Sequence, residues 1–376
     1  MALMKVLFGI LVVAAAAFLA WSAAPQILQW VMGPPDINVG SPVPPPTTQP
    51  PLVLPSSATP DIRPAISLAL PVSSADAFTG SLVSRTYSWE YGGKKWTWEL
   101  QLPESLYDYF KSLPRSPTAN YSVYVTHPMD DAYLGQLVSK IQDASQAEGY
   151  SEYQTVGFLA AFVQSLPYVT DDLSTGFDEY PRYPIETLLD NGGDCEDTSI
   201  LMASLIKGLG YDVVLIVLPK HVGVGVQGGD GIFGTYWNYQ GVKYYYLETT
   251  GEGWELGELP PEYKGASASV YPMKPVPILT HEWTSTAGVG YVGLNIEVSN
   301  LGSAEASGVY IYAGFDAGND QVWNHEESPP FDIGIDEKVT VSMRIRVPYN
   351  EHTRLLVQVV YNGYAVDESQ SKWLDT

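Results

Sequence analysis

The stretch Gly192-Gly193-Asp194-Cys195-Glu196-Asp197-Thr198-Ser199-Ile200-Leu201 holds the single cysteine of this 376-residue chain. Asp194 is a favourable N-cap residue, and Asp197 three positions later completes an approximate capping box. The apolar residues that follow predict a helix from about Cys195 to Leu209, closed by Gly210. The cysteine is therefore expected in the first turn of a helix.

A cysteine in that position has unusual chemistry available to it. Free backbone N–H groups and the helix dipole favour a thiolate, and the same N–H groups can bind an oxyanion. Glu196 and Asp197 oppose the thiolate electrostatically, so a nearby imidazolium has to outweigh them. Cys195 is the candidate nucleophile, with a buried, inert thiol as the alternative.

Two residues further along the chain complete a possible catalytic set. His221 opens a predicted strand in which Gly223 and Gly225 leave one side open for a substrate or another backbone. Glu248 lies one strand further on, in the predicted strand Val242–Thr249. An imidazole can take the thiol proton and later deliver it to a leaving amine, while a carboxylate holds the imidazole in the required tautomer.

The order Cys195, His221, Glu248 within about 55 residues resembles the transglutaminase-like superfamily, whose core is related to papain. Residues 193–197 are similar to the nucleophile segment of its bacterial and archaeal cysteine-peptidase branch. The resemblance covers roughly 149–250 and implies a nucleophile, a general base and an orienting acid, in that order, with no cofactor and no metal. Glu248 stands where the family usually has Asp, so its longer side chain must retract to make the same bond.

Supporting residues are less well defined by the sequence. The family's second oxyanion donor is not identified, and Gln164, Tyr180 and Tyr183 are candidates. Glu186, in the segment that begins with Tyr183, is expected to brace the cysteine loop. Asp194 is expected to support the nucleophile as its N-cap.

Composition limits the classes of partner. The chain has 42 Asp and Glu against 19 Lys and Arg, a formal net charge of −23, which argues against a nucleic-acid partner. One cysteine excludes an internal disulfide framework and thiolate-rich zinc or iron–sulfur sites. With 45% hydrophobic residues the chain can bury a large core.

The N-terminal segment predicts export. Residues 1–32 contain an apolar run long enough to cross a bilayer, favoured as an uncleaved transmembrane anchor over a signal peptide cleaved near Ser22-Ala23-Ala24. Residues 33–74 are rich in Pro, Ser and Thr and are expected to form an extended linker. Both interpretations place the remaining chain outside the cytoplasm, as a single-pass membrane protein or, after cleavage, as a secreted one.

Two domains are predicted beyond the linker. Residues 75–274 begin with a β-hairpin around Gly92-Gly93, continue with helices at Asp130–Glu148 and Glu152–Leu166, and end in strands, which indicates an α+β fold. The segment Tyr271–Pro277 is expected to be a linker because it carries three prolines.

The last predicted domain, residues 278–376, has short strands with period-two alternation and predicts an all-β, Ig-like sandwich. This sandwich resembles cell-adhesion-related modules of prokaryotic surface proteins. The predicted fold class is therefore α+β, with a papain-like, transglutaminase-like core followed by the sandwich and preceded by a transmembrane helix.

The hypothesis is a membrane-tethered, extracytoplasmic thiol hydrolase or acyltransferase. It would act on a peptide or side-chain amide of a cell-surface protein or peptide through a thioester, and hydrolysis is favoured. Three alternatives stay open: a catalytically silent surface binding module, a true amine-dependent cross-linking enzyme, and a structural envelope protein.

Overall fold

The computed structural model describes residues 78, 80–115, 118, 120–170, 180–229, 231–319 and 321–376. The predicted anchor and Pro-rich linker lie outside these residues. Within them, no helix is both long and apolar enough to cross a membrane. The described chain mixes helix and sheet, with more residues in strands than in helices. It forms two compact units that meet in sequence at Pro275 and Val276.

The first unit, called here the helix–sheet unit, comprises the described residues up to Arg115 together with Asn120–Pro275. It starts with the hairpin of β1 (Leu82–Tyr91) and β2 (Lys94–Pro103). Its helices are α1 (Glu104–Ser112), α2 (Ser122–Val125), α3 (Asp131–Glu148), α4 (Glu152–Gln164), α5 (Pro184–Asp190) and α6 (Cys195–Gly208), with 3₁₀ turns at Pro128–Asp130 and Pro261–Tyr263. Its sheet contains β3 (Val213–Leu218), β4 (His221–Gln227), β5 (Tyr236–Tyr239), β6 (Val242–Leu247) and β7 (Ser269–Pro272).

The glycine hairpin predicted from the sequence is confirmed. Tyr91 pairs with Lys94 across Gly92 and Gly93, whose φ angles of 62° and 72° suit glycine in a two-residue turn. Trp89 and Trp98 of this hairpin belong to the core, and the Trp89 ring centroid lies 5.1 Å from that of Phe162 on α4.

The predicted helices α3, α4 and α6 are also present. α4 begins with a capping box, in which the Ser151 N–H and hydroxyl both contact Gln154. Three short helices, α1, α2 and α5, were not predicted. α5 nevertheless carries a start signal, because Pro184 occupies its first turn and Glu186 accepts the backbone N–H of Tyr183.

The sheet of the helix–sheet unit has the strand order β5-β6-β4-β3-β7, and every neighbouring pair is antiparallel. The predicted linker Tyr271–Pro277 is wrong at its start. Tyr271 and Pro272 belong to β7, which pairs with β3 through Leu215 and Val214. Proline is tolerated there because β7 is an edge strand with one side free of ladder hydrogen bonds.

The second unit, called here the β unit, comprises Val276–Thr376. One sheet contains β8 (Leu279–Gly288), β9 (Tyr291–Asn300) and β13 (Lys338–Arg346). The other contains β10 (Ala306–Gly318), β11 (Gln321–Glu327), β12 (Phe331–Ile333), β15 (Leu355–Tyr361) and β16 (Tyr364–Gln370), while β14 (His352–Thr353) pairs with β17 (Leu374–Asp375). Both sheets contribute inward side chains, such as Ile296 and Val357, to one core.

Four polar side chains join the two sheets at the open edge between β8 and β16. His281 Nδ1 lies 2.6 Å from Asp367 Oδ2, which also accepts the His281 backbone N–H. His281 Nε2 lies 2.7 Å from Ser369 Oγ, and that oxygen accepts the indole N–H of Trp283. The His281 side chain is only 1% exposed, so its imidazole is shielded from water, while the Asp367 side chain is 31% exposed.

We expect Asp367→Asn to loosen this edge, because it replaces charge-assisted hydrogen bonds of a buried imidazole with weaker ones. The expected loss of unfolding free energy is about 1–3 kcal/mol, visible as faster hydrogen exchange in peptides from β8 and β16. Asp375→Asn is the matched control, since its contact with His352 has the same 2.6 Å length but an exposed imidazole. Equal exchange in both variants would contradict the stabilising role of the buried pair.

Candidate active site

Two glycines hold the loop before the cysteine against its surroundings. The backbone of Gly193 pairs with Pro167 and Val169, through N–H···O distances of 3.3 and 3.0 Å. A Cβ at Gly193 would lie 2.5 Å from the Asp197 side chain, and a Cβ at Gly192 would lie 2.5 Å from the Pro167 carbonyl. Only glycine fits at either position, so the pair fixes the start of α6.

Asp197 holds the loop before Cys195 in place through hydrogen bonds of its carboxylate. Its carboxylate accepts the backbone N–H of Arg182 at 2.7 Å, the Arg182 guanidinium, and the Asp194 N–H at 3.3 Å. Both Arg182 and Asp197 are fully buried. The arginine therefore compensates the charge of Asp197, which removes one of the two electrostatic objections to a reactive cysteine.

The second electrostatic objection to a reactive cysteine, the carboxylate of Glu196, remains. Cys195 Sγ lies 3.3 Å from Glu196 Oε2, and the sulfur also accepts the backbone N–H of Val222. Burial, followed by the charge of Glu196, raises the pKa of the Cys195 thiol well above its usual range. The expected lowering by the helix N-terminus is therefore wrong for the resting state, and Cys195 carries its proton.

Burial also raises the pKa of Glu196 itself, and a side-chain hydrogen bond with Asp194 works in the opposite direction. The thiol thus faces two acidic side chains rather than a cation on its own helix.

His221 and Glu248 are in direct contact. His221 Nε2 lies 2.8 Å from Glu248 Oε2. Glu248 Oε1 accepts the N–H groups of Thr249 and Thr250, both at 3.0 Å, and the Thr250 hydroxyl at 2.7 Å. Burial alone would raise the pKa of Glu248, but His221 and Thr250 bring it down to about 2. The carboxylate is ionised at neutral pH, so the Nε2 proton is donated to it and Nδ1 is the basic nitrogen.

Tyr246 is a third group at this pair. Its hydroxyl donates to Glu248 Oε2 at 2.8 Å and lies 3.1 Å from His221 Nε2. On the other side, the ring of Tyr263 stacks on the imidazole at 4.8 Å with an interplanar angle of 5°. The imidazole plane is therefore fixed by a carboxylate, a hydroxyl and an aromatic face.

The space beside the two glycines of β4 is not open to a substrate, contrary to the prediction. A Cβ at Gly223 would lie 2.5 Å from the ring of Tyr246. A Cβ at Gly225 would lie 2.8 Å from the side chains of Ile216 and Val214. Glycine is needed at position 223 because any side chain there would displace the Tyr246 ring, whose hydroxyl contacts His221 and Glu248.

Hydrogen bonds of hydroxyl groups connect α6, β4 and the chain that follows β6. The Thr249 hydroxyl lies 2.9 Å from that of Thr198 and 3.0 Å from that of Ser199 on α6. Ser199 in turn donates to the Val222 carbonyl of β4 at 3.0 Å. Because the Cys195 sulfur accepts the Val222 N–H, the thiol lies beside the residue that follows His221. The Cys195 thiol also donates to Glu196, and the imidazole of His221 contacts Glu248 and Tyr246.

Gln164, a predicted candidate for the second oxyanion donor, has its hydrogen bonds elsewhere. The Gln164 amide donates to the carbonyls of Glu248 and Trp254, at 2.9 and 3.0 Å, and accepts the Gly253 N–H at 3.2 Å. Both amide protons are therefore occupied in holding the chain that follows β6.

The remaining candidates form a brace at the start of α5. Glu186 is fully buried, lies 2.6 Å from Arg115 Nη2, and is 3.1 Å from the Tyr180 hydroxyl. Burial raises the pKa of Glu186, although Arg115 offsets part of this effect. The Tyr183 ring packs 4.5 Å from that of Phe110. The hydroxyl of Tyr180 is thus directed to Glu186 and Arg115.

Sequence reasoning missed Tyr246, Tyr263, Thr249 and Tyr168. A signal existed for Tyr246, because it precedes Glu248 by two residues on a strand and so shares its face. Tyr168 pairs with Gly193 through an isolated bridge, and partial burial together with nearby Cys195 raises the pKa of its phenol to about 12. Tyr168 is an exposed residue close to the candidate nucleophile, and no sequence pattern marks it.

No cluster of three or more His, Cys, Asp or Glu side chains suited to a metal ion occurs among the residues that the structure describes.

No protein-family model and no curated protein matches the chain. Among solved structures, a β-glucosidase from Kluyveromyces marxianus is 15% identical over 26% of this chain and 14% of its own length, with a TM-score of 0.19. A CARDB domain from Pyrococcus furiosus is 12% identical over 26% of this chain and 85% of its own, with a TM-score of 0.18. These similarities are too weak to bear on fold or function.

The glutamate beside the thiol can be tested directly. We expect Glu196→Gln to raise the rate of Cys195 alkylation by iodoacetamide at pH 7, by about tenfold for each pKa unit by which the thiol pKa falls. Glu99→Gln, an exposed change on β2, is the control and should leave the rate unchanged. An unchanged rate in Glu196→Gln would show that burial alone sets the thiol pKa.

The low pKa of Glu248 predicts a pH-dependent contribution to stability. Because the folded pKa lies below the ordinary value of 4.5, the contribution is present above about pH 4.5 and is lost as the pH falls toward 2. At pH 6 we expect Glu248→Gln to lower the free energy of unfolding by roughly 2 kcal/mol. Urea unfolding should show this difference shrinking between pH 5 and pH 2, whereas a constant difference would exclude an ionised Glu248 as its source.

Proposed function

We propose that this chain is an extracytoplasmic thiol enzyme of the transglutaminase-like type, with Cys195 as nucleophile, His221 as general base and Glu248 as orienting acid. The observation that carries the proposal is the contact of His221 Nε2 with the ionised Glu248, which leaves Nδ1 as the basic nitrogen of the residue before Val222, whose backbone N–H binds the Cys195 sulfur. A papain-like core, an Ig-like C-terminal sandwich and an N-terminal membrane anchor belong to the same proposal and rest on the sequence.

The first half-reaction would acylate the cysteine. As Cys195 Sγ attacks the amide carbonyl carbon, the thiol proton moves to His221 Nδ1, because the resting thiol is neutral. The carbonyl oxygen becomes an oxyanion, which backbone N–H groups at the start of α6 are suited to bind. When the C–N bond breaks, the imidazolium returns its proton to the leaving amine, and a thioester remains.

The second half-reaction would restore the enzyme. Water attacks the thioester carbonyl while His221 takes one of its protons, and as the C–S bond breaks the imidazolium returns that proton to the departing sulfur. The products are a carboxylic acid and the neutral Cys195 thiol. Tyr168 is a candidate for the second oxyanion donor, because its hydroxyl belongs to an exposed side chain close to Cys195.

Glu248 and Tyr246 would act by positioning. The carboxylate stabilises the imidazolium and fixes its tautomer, and the tyrosine hydroxyl holds the same carboxylate oxygen. The longer side chain of glutamate is compatible with this role because Thr249 and Thr250 bind its other oxygen.

One observation favours a second function, a catalytically silent binding module. The partly buried thiol has a raised pKa and a hydrogen bond to Glu196, both of which disfavour a reactive thiolate. In that case the fold would be retained without its chemistry.

A peptidyl vinyl sulfone separates the two functions, since it reacts with a thiol that an adjacent imidazole activates. For the enzyme we expect a covalent adduct on Cys195, measured by intact mass, and a loss of labelling rate of about 100-fold or more in His221→Ala. His352→Ala, an exposed histidine of the β unit, should label like the wild type. Labelling that is slow and insensitive to His221→Ala would support the binding module.

Hydrolysis and cross-linking differ in what resolves the thioester. A glutamine-containing peptide incubated with a fluorescent primary amine would be deamidated by a hydrolase and would incorporate the amine with a cross-linking enzyme.

A further inference from the structure

A shallow polar depression of about 470 Å³ lies on the sheet formed by β8, β9 and β13, near the turn that joins β8 to β9. Gly293 of β9 leaves space for it, because a Cβ there would have the Thr286 carbonyl oxygen as its nearest neighbour, at 3.7 Å. The polar side chains that line the depression are those of Thr284, Thr286, Asn295, Ser342 and Arg344. Hydroxyl, amide and guanidinium groups without a lining carboxylate favour an anionic ligand that accepts hydrogen bonds.

Two arginines lie beside this depression on the outer face of the sheet. In the ladder of β13 and β9, Arg344 is opposite Gly293 and Arg346 is opposite Tyr291. The guanidinium carbon of Arg344 lies 4.9 Å from the centroid of the Tyr291 ring. Both arginines are exposed, and neither forms an ion pair with any residue that the structure describes. Their positive charges are therefore available to an anion from outside the chain.

The two segments that form this end of the sheet contain no acidic residue. Residues 284–291 and 339–350 have no Asp or Glu, in a chain with 42 acidic residues and a formal net charge of −23. The acids that flank these segments in the sequence are Glu282, Glu297, Glu337 and Glu351. The end of the sheet is therefore a region of positive charge on an acidic chain, and it favours an anionic partner.

Two hydrophobic side chains project into solvent at the same end. Val289, in the turn between β8 and β9, is 100% exposed, and Tyr349 is 92% exposed. Their segments are joined, because the Val347 N–H donates to the Gly290 carbonyl at 3.2 Å. Aliphatic and aromatic side chains next to arginines are typical of the interface of a lipid bilayer, where cations bind the headgroups and apolar groups lie deeper.

We infer that this end of the β unit, called here the basic tip and comprising Val289, Tyr291, Arg344, Arg346 and Tyr349, docks on the surface of an anionic lipid bilayer. The arginines and the polar depression bind lipid phosphates, while the valine and Tyr349 enter the interface below the headgroups. A second copy of the chain fits less well, because two basic tips repel each other. The inference goes beyond the proposed function and does not depend on the chemistry of the candidate active site.

The test follows one residue of the basic tip in the full chain. Val289→Cys is combined with Cys195→Ser, so that an environment-sensitive fluorophore labels position 289 alone, since the chain has no other cysteine. The labelled chain is reconstituted into vesicles of phosphatidylcholine that contain increasing amounts of phosphatidylglycerol. We expect the emission to shift to the blue as the anionic lipid increases, because the fluorophore enters a less polar environment, and to shift back at high salt.

A matched position controls for the general effect of the vesicles. Tyr364 is 63% exposed and follows the turn between β15 and β16. It precedes Asp367, the partner of His281, and so lies toward the end of β8 that is remote from the basic tip. The fluorophore on Tyr364→Cys, in the same Cys195→Ser background, should show the same emission in all the vesicles.

Charge variants separate headgroup binding from apolar contact. Arg344→Gln/Arg346→Gln should raise severalfold the fraction of phosphatidylglycerol needed for half of the shift, since each arginine near an anionic surface contributes about a fivefold gain in affinity. Lys338→Gln removes an exposed cation at the other end of β13 and should leave that fraction unchanged.

Three outcomes would overturn the inference: no shift at position 289, an equal shift in phosphatidylcholine alone, or a shift without lipid that grows with protein concentration and so reports a second copy of the chain. Because every chain in this test carries Cys195→Ser, these outcomes are distinct from a failure of Cys195 to react with the vinyl sulfone.

Discussion

The buried pair of Arg182 and Asp197 is the interaction on which the site depends. Asp197 occupies the first turn of α6, and it accepts hydrogen bonds from Arg182 and from the N–H of Asp194. Removing one member of such a pair leaves an uncompensated buried charge, which is strongly destabilising. The same carboxylate lies against Gly193, so the ion pair, the glycine loop and the position of Cys195 are one packing unit.

The charges around Cys195 disfavour the thiolate that a thiol enzyme is usually expected to have at a helix N-terminus. The helix N-terminus favours a thiolate, yet burial and Glu196 outweigh it and keep the sulfur protonated. In the proposed mechanism, a neutral thiol would require His221 to take the proton during the attack rather than before it. Glu248 then matters twice, because it selects the Nδ1 lone pair and stabilises the positive charge that forms there.

The sequence predicted those features that depend on local pattern. The hairpin at Gly92-Gly93, the start of α6 and the strand that begins at His221 follow from turn glycines, an N-cap and alternation. The contacts that complete the site are non-local: Thr249 joins α6 to the end of β6, and Tyr263 reaches the imidazole from a 3₁₀ turn. No spacing in the sequence signals such pairs. The thiol pKa was mispredicted for the same reason, since burial is a tertiary property.

The length of the Glu248 side chain is accommodated by its neighbours. Glu248 follows the last residue of β6, and its extra methylene would carry the carboxylate away from the imidazole if the side chain were extended. Thr249 and Thr250 hold one carboxylate oxygen through two N–H groups and a hydroxyl, which folds the side chain back. Tyr246 holds the other oxygen, and its ring fits only because Gly223 has no side chain. Tyr246, two residues before the acid, and Gly223, two residues after His221, therefore belong to the set of contacts that holds Glu248 against the imidazole.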